Sequence, residues 1–312
     1  MLEERGLAKF KLPWRLFVEW INPGEACFRS VERILLSLKT KFQEIDIVEL
    51  AELGKALVID GKLQSTLYDE YWYHEALVHP PMLAHPHPTK VLIIGGGEGA
   101  TLREVLKHKS VREVVMVDVD EEMIKIAREH LVEWHQGAFN DGRVKIIVED
   151  GRKFVENTTN NTYDVVILDL VDPTEGGPAT HLYTREFYQE IYRILVDDGI
   201  MVTQATSPIL MPKVYATIYK TISSVFPSVT PYITYVRSYN GLWGFVMASK
   251  KRYAIPSADK IDKMIRERIH GELKFYDSQT HQWMFSLPKP IRKIVEEMGE
   301  IATDTNPPYT PT

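Results

Sequence analysis

Asp169 and Asp172 stand three residues apart in Val165-Val166-Ile167-Leu168-Asp169-Leu170-Val171-Asp172-Pro173, where an apolar run of the kind that forms a buried strand gives way to polar chain. Two carboxylates at such an edge attract a cation. If both are partly buried their charges oppose each other, so one pKa rises and that carboxylate can serve as a base near neutral pH. The plainer alternative is that Asp172 caps a turn and Asp169 bonds backbone. Upstream, Gly95-Gly96-Gly97-Glu98-Gly99-Ala100 follows the apolar run 91–94 and fits G-x-G-x-x-A, and Asp118 closes the next apolar run. Glycines there let backbone approach a ligand and start a helix without Cβ clashes, while a carboxylate about 20 residues on can accept both ribose hydroxyls. NAD enzymes, S-adenosylmethionine enzymes and plain tight turns share that loop, so its neighbours must decide.

Glu98 is one such neighbour. A carboxylate inside the glycine loop repels a ligand phosphate or carboxylate, which disfavours a dinucleotide and favours a ligand carrying an amine; it can also simply stabilise the N-terminus of the following helix. Asp150-Gly151, after the run 144–148, lies where an adenine amino group can be read, although Asp-Gly is also a common turn. Tyr73 and His74 sit in Asp69-Glu70-Tyr71-Trp72-Tyr73-His74-Glu75, whose aromatics could wall a groove for a cation or an aliphatic chain. A lone histidine on such a helix is more often structural than catalytic. His79, His85 and His87 follow among prolines at spacings that match no compact ligand set, so no metal is expected.

The elements that must hold these residues fall into two groups. Strand-like segments at 26–36, 42–50 and 56–64, the last with Asp60-Gly61 as a hairpin signal, form a small antiparallel β-domain. A helix over 69–83 should stop at Pro80-Pro81, and 85–88 reads as a linker. From Lys90 onward strands at 91–94, 114–118, 144–148, 165–170, 200–204 and 244–249 alternate with helices near 101–108, 121–131, 184–195 and 213–226. Such alternation gives an α/β, Rossmann-like doubly wound, mostly parallel sheet covered on both faces, with ligands outside the carboxyl ends of its strands. The expected division is residues 1–88, an N-terminal β-stranded domain and connecting helix, and 89–312, the Rossmann-like domain. The Pro- and Thr-rich tail after Thr303 is expected to lie on the surface or fray.

Composition narrows the classes. A chain of 312 residues with 44% hydrophobic and 26% charged residues is an ordinary globular protein. The net charge of -6 argues against a general nucleic-acid binder, and no apolar stretch reaches the length of a membrane span. The single cysteine, Cys27, excludes an intrachain disulfide framework, and the first residues lack the basic-then-apolar order of a signal peptide, so a cytoplasmic setting is expected.

Taken together, residues 54–65 (Gly-Lys-Ala-Leu-Val-Ile-Asp-Gly-Lys-Leu-Gln-Ser), Asp69 through Glu75, the Gly95 loop and Asp169-Leu170-Val171-Asp172-Pro173 closely resemble the polyamine aminopropyltransferases, the spermidine synthase family, in matching order and spacing. The resemblance implies a methyltransferase-like catalytic fold and transfer of an aminopropyl group from decarboxylated S-adenosylmethionine to a polyamine nitrogen, releasing methylthioadenosine. No other cofactor and no metal is implied. By motif, Gly95 and Gly97 would lie against the nucleoside, Asp118 would hold the ribose hydroxyls, Asp150 with Gly151 the adenine, and Glu98 the terminal amine of the aminopropyl arm. Gln43, Gln64 and His74 match polar donor-site positions. Asp169 matches the general base and Tyr73 its hydrogen-bonding helper. Asp172 and Gln204 match the acceptor side, Tyr239 does so loosely because its loop differs in length, and Trp20 stands near a family tryptophan but displaced.

Within the family, Asp172-Pro173-Thr174-Glu175-Gly176-Gly177-Pro178, residues 243–249 and Gly271-Glu272-Leu273 look most like thermospermine synthases and related triamine users. Spermidine is therefore the expected acceptor, with putrescine and agmatine as alternatives. The family implies a homodimer or homotetramer whose partners are small polyamine and nucleoside sulfonium molecules, not nucleic acid or membrane. Rival readings are an S-adenosylmethionine methyltransferase, a non-catalytic polyamine or nucleoside sensor and, last, an NAD-dependent dehydrogenase, which leaves the clustered acids unexplained.

Overall fold

The computed structural model describes residues 15–252 and 256–310. Its first sheet is antiparallel and runs β1 (Leu16–Asn22), β2 (Glu25–Lys39), β3 (Glu44–Leu50), β4 (Gly54–Ile59) and β5 (Lys62–Thr66), each beside the next. The hairpin expected at Asp60-Gly61 joins β4 to β5, and both turn residues take positive φ, 49° and 72°, as a two-residue turn between twisted strands demands. Alternation decides which side chains turn inward: on β1, Glu19 and Ile21 are buried while Leu16, Val18 and Trp20 are exposed.

Helix α1 (Glu70–Ala84) leads to the second sheet. It does not stop at Pro80-Pro81, as expected, but continues through both prolines. A carbonyl that one of the prolines orphans has found another donor, and the helix end is capped from outside. Ala76 O, the acceptor that the missing Pro80 N–H would have used, receives the Tyr232 hydroxyl at 3.0 Å. Arg268 then caps the helix end through Met82 O, Leu83 O and His85 O at 2.8–3.0 Å.

The second sheet alternates with helices: β6 (Lys90–Gly95), α2 (Ala100–Leu106), β7 (Glu113–Asp118), α3 (Glu121–His130), α4 (Val132–His135), β8 (Val144–Val148), α5 (Gly151–Asn157), β9 (Tyr163–Asp169), α6 (Arg185–Ile194), β10 (Leu195–Gln204) and α7 (Pro212–Ser223). The order β11-β12-β10-β9-β6-β7-β8 makes it seven-stranded and parallel except for β12 (Gly241–Ser249), which runs antiparallel to both β10 and the edge strand β11 (Ser228–Val236). Strand β11 went unseen in the sequence because Pro231 lies inside it; as the edge strand it tolerates a residue without a donor. The helices α8 (Ala258–Arg268), α9 (Ser278–Phe285) and α10 (Lys289–Glu297) complete the chain, α8 packing on α1 and α10 on α7.

The central strands are buried on both faces. Val91, Ile93, Val165 and Ile167 enter the core shared with α1 and α2, whereas Leu92, Ile94, Val166 and Leu168 enter the core under α6 and α7. The order reverses between β6 and β9: β7 and β8 lie to one side, β10 to the other. A crevice must open there, and Gly95 and Asp169 are register partners at its edge.

The tail expected to fray is tied down instead. Asp304 takes Arg152 at 2.6 and 2.7 Å and the Thr184 hydroxyl at 2.6 Å, and Thr310 N–H donates to Pro173 O at 2.7 Å. It thereby joins the start of α5 to the loop after β9. The hydrogen bonds from Arg152 hold the Asp304 carboxyl below its ordinary pKa. Asp304→Ala should therefore cost about 1–2 kcal/mol at neutral pH, a bidentate ion pair discounted for partial exposure. Because a depressed pKa stabilises only above the unfolded value, that loss should fade as pH falls below about 4. Thermal melts of both proteins at pH 7 and at acid pH check it.

Candidate active site

A cavity of about 220 Å³ opens at the carboxyl ends of β6, β7 and β9. That is room for a small organic molecule rather than one or two waters, whose share of liquid volume is about 30 Å³ each. The small sheet contributes Gln43, Leu57, Ile59 and Gln64 to its wall. The large sheet contributes Gly95, Gly97, Glu98, Asp118, Asp150, Gly151 and Asp169, while Tyr73 of α1 and Tyr239 of the β11–β12 turn close it. One wall is thus apolar and amide, the other acidic.

Asp169 is held on three sides. Its Oδ1 accepts the Tyr73 hydroxyl at 2.8 Å, its Oδ2 the Thr101 hydroxyl at 2.6 Å, and its carbonyl the Gly96 N–H at 3.0 Å. Gly95, at φ 81°, lies so close that a Cβ there would come within 2.1 Å of that carbonyl. A side chain at 95 would therefore push the glycine loop off the strand end. Burial raises the Asp169 pKa, the charge of Glu98 raises it further, and His74, Thr101 and Tyr73 pull it back, leaving it at about 6. Part of the carboxylate remains open to the cavity, so a ligand that displaces water would change this balance.

Asp118 ends β7, its Oδ1 accepting the Asp120 N–H at 2.9 Å. Its Oδ2 faces the glycine loop, where a Cβ on Gly97 would sit 2.9 Å away. Burial, opposed by that N–H bond but reinforced by Asp120, Glu98 and Asp169, lifts the carboxyl to about 7. Asp120 caps α3 and takes the Gln43 amide at 2.9 Å, fixing the small sheet against the large one.

His74 does not line the cavity. It is buried behind Glu98, its Nε2 2.9 Å from Glu98 Oε1 and its Nδ1 3.0 Å from Glu70 Oε2. Burial alone would lower its pKa; the hydrogen bonds and charges of Glu70 and Glu98 override this and raise it to about 10. His74, Glu98 and Asp169 bring one ligand atom each within 4.8 Å. A metal ion fits them poorly, because a charged imidazole has no lone pair to offer. An organic ammonium, which needs only acceptors, suits the two carboxylates.

Asp172 and Gln204 stand just beyond the cavity lining. Gln204 Nε2 is 3.0 Å from Asp172 Oδ1, 3.0 Å from Leu170 O and 2.7 Å from the Tyr183 hydroxyl. Burial raises the Asp172 pKa to about 6 against the Gln204 bond and the charge of Lys62, with Glu19 adding to the rise. Trp20 is a correction: it is 58% exposed on the outer face of β1, since strand alternation turns its neighbour Glu19 inward instead. Glu19, Glu70 and Thr101 were missed from sequence. Period-two burial along β1 could have found Glu19, and the four-residue spacing to His74 could have found Glu70; nothing local marked Thr101.

Residues 70–259 match the family described as the spermine/spermidine synthase domain, and residues 15–66 the spermidine synthase tetramerisation domain. Polyamine aminopropyltransferase 2 of Hyperthermus butylicus is 55% identical over 302 residues, 96% of this chain and 99% of that protein. The polyamine aminopropyltransferase of Saccharolobus solfataricus is 48% identical over 299 residues, again 96% of this chain and 99% of the relative. A spermidine synthase crystallised with the transition-state analogue AdoDATO superposes with TM-score 0.85 at 36% identity, over 95% of this chain and 99% of that one. The spermidine synthase of Thermotoga maritima gives TM-score 0.83 at 36% identity, over 95% and 98%.

The raised carboxyls make the cavity a source of instability at neutral and higher pH. For Asp118 the folded pKa, about 7, exceeds an unfolded value near 4, so the folded state is favoured relative to the unfolded at low pH and that advantage is gone above about 7. Asp118→Asn should therefore be more stable than the parent by about 2–4 kcal/mol at pH 8, three pKa units at 1.36 kcal/mol each as the ceiling. The difference should vanish toward pH 4. Ligand-free melts across this range provide the check, and a variant no more stable at pH 8 contradicts it.

Proposed function

Because this chain belongs to the spermine/spermidine synthase family, aminopropyltransferases that take decarboxylated S-adenosylmethionine as co-substrate, we propose that it transfers the aminopropyl group to spermidine, in the manner of a thermospermine synthase. What carries the reading is the group of acids gathered at this site, Glu98 and Asp169 in the cavity, Asp172 beyond it and Glu19 on β1 near Asp172. A sulfonium donor with a free ammonium needs the first two. A triamine acceptor can use the others for its remaining charges, whereas putrescine has one fewer to place.

On this reading the donor nucleoside lies along the glycine loop, with its ribose on Asp118, its adenine beside Asp150 and Gly151, and Gln43 and Gln64 on the opposite wall. Glu98 takes the ammonium of the aminopropyl arm. Intact S-adenosylmethionine would set its carboxylate against Glu98 and binds less well. The acceptor arrives as an ammonium with pKa about 10 and no lone pair, so its proton must leave before attack. Asp169 receives that proton, aligned by Tyr73 and Thr101. Transfer from a pKa of about 10 to about 6 costs about 5 kcal/mol, which the reaction can carry because the sulfonium is already activated. The nitrogen lone pair then bonds the carbon beside sulfur, the C–S bond breaks, and its electron pair leaves with neutral methylthioadenosine. Alignment of two held reactants supplies most of the remaining acceleration.

The tetramerisation segment carries an apolar outer face in which Val18 is paired across the strands with Phe28, and Leu16, Trp20 and Ile34 are also exposed. We infer a homotetramer assembled through this face. Light scattering should find a tetramer for the parent and smaller species for Phe28→Glu, since a buried charge there costs several kcal/mol.

Incubating the protein with decarboxylated S-adenosylmethionine and a panel of amines, then separating products, should yield thermospermine from spermidine as the main conversion. Asp169→Asn should keep donor affinity within a few-fold by calorimetry while turnover falls about 10²-fold or more. Unchanged turnover removes Asp169 from the mechanism, and tighter binding of intact S-adenosylmethionine would favour a methyltransferase.

A further inference from the structure

Glu70 lies at the first position of α1, is 4% exposed and does not border the cavity. Its carboxylate is nonetheless held by two basic side chains. Arg103 grips it with two nitrogens at 2.8 and 3.1 Å, and its Oε2 lies 3.0 Å from His74 Nδ1. The other ring nitrogen of His74 faces Glu98 Oε1 at 2.9 Å. The Nδ1 has a second acceptor, Glu70 O, at 2.7 Å. Both nitrogens thus meet only oxygen acceptors, and a neutral imidazole would leave one lone pair pressed against another. With both neighbouring carboxyls ionised, the donor count makes His74 an imidazolium, in keeping with its raised pKa.

The pairing continues inward. Arg103 Nε reaches Glu104 at 2.7 Å, and Glu104 takes His79 at 3.1 Å and Lys107 at 2.8 Å. Starting from Glu98, the sequence Glu98, His74, Glu70, Arg103, Glu104, Lys107 alternates in sign from the cavity to a partly exposed lysine. We propose that Glu70 is a positioning residue for aminopropyl transfer, holding the His74 imidazolium that fixes Glu98 where the donor's ammonium docks; this rests on the reaction proposed above.

Without Glu70 the cation between the acids is no longer anchored. The groups facing His74 are Glu70 and the Tyr73 ring on α1, Glu98 on the glycine loop and Asp169 at the end of β9, with Arg103 of α2 behind Glu70. Replacing Glu70 by glutamine removes one anion, brings Arg103 closer in effect and leaves Glu98 and Asp169 to hold the proton. His74 then loses its charge in the neutral range, its Nε2 can turn a lone pair toward Glu98, and the carboxylate swings free.

The test compares Glu70→Gln with the parent in kcat and KM for decarboxylated S-adenosylmethionine between pH 6 and 9, and follows the histidine titration by NMR. The parent's His74 should remain charged at pH 8. The variant should lose about tenfold or more in kcat/KM at high pH, mostly through KM, and recover as pH falls and the imidazole recharges. A loss that is the same at every pH, as a merely structural role would give, overturns the proposal. So does a parent His74 that is neutral at pH 8, a measurement that stands even if the variant does not fold. Transfer with a neutral His74 sinks the charge chain alone; a charged His74 in a protein that transfers no aminopropyl group sinks the reaction alone.

Discussion

Mutual repulsion among carboxylates gathered in a half-buried cavity is the constraint that organises this molecule. Glu98 raises the pKa of both Asp118 and Asp169, and Asp169 adds to the rise at Asp118, so the site stores unfavourable charge. A protein can keep such a site only if every acid is fixed by something other than its neighbours' charge. Here Asp169 is fixed by two hydroxyls and a backbone N–H, Asp118 by a backbone N–H, and Glu98 by a buried imidazolium. Unfavourable charge kept in place in this way is stability given up at a functional site.

The sheet supplies the place. Strand order reverses between β6 and β9, so the connections that leave their carboxyl ends run to opposite faces of the sheet and leave a crevice between them. Glycine at 95 and at 97 is what lets a backbone run through that crevice close to two carboxylates at once, since a Cβ at either position would meet Asp169 or Asp118. A positively charged sulfur compound lying on this loop would touch backbone on one side and anions on the other. The methyltransferase-like sheet is generic; the acid inside its glycine loop is what inverts the preference from anionic to cationic ligands.

Much of this was legible in the chain. Strong periodicity placed the parallel strands, and acids that close apolar runs placed Asp118 and Asp169 at the ligand edge, because a strand end and a ligand edge coincide in this architecture. Local rules failed where tertiary partners overrode them. Pro80 and Pro81 should have ended α1, but Tyr232 satisfies the carbonyl that Pro80 orphans and Arg268 those at the helix end, both from 150 or more residues away. Trp20 was placed by likeness to a motif, although strand alternation gives the inward position to Glu19. The tail looked frayed because nothing within it announces Arg152 or Pro173 as partners. Glu70 and Thr101 matter through contacts across the fold, which no local pattern encodes.

Alternation along β1 also ties the site to assembly. Its inward residue Glu19 bonds the Leu63 N–H and Arg29 and adds to the charge felt by Asp172, while outward Val18 and Trp20 lie on the apolar face. A strand at the edge of a sheet is the least constrained part of it, with one neighbour rather than two. Covering that face with another subunit would hold the strand's register, and a slip of one residue would exchange Glu19 for Trp20 and turn an acid out of the acceptor side. On the reading proposed above, assembly is therefore not only a matter of burying apolar surface: it fixes which face of β1 the acceptor meets.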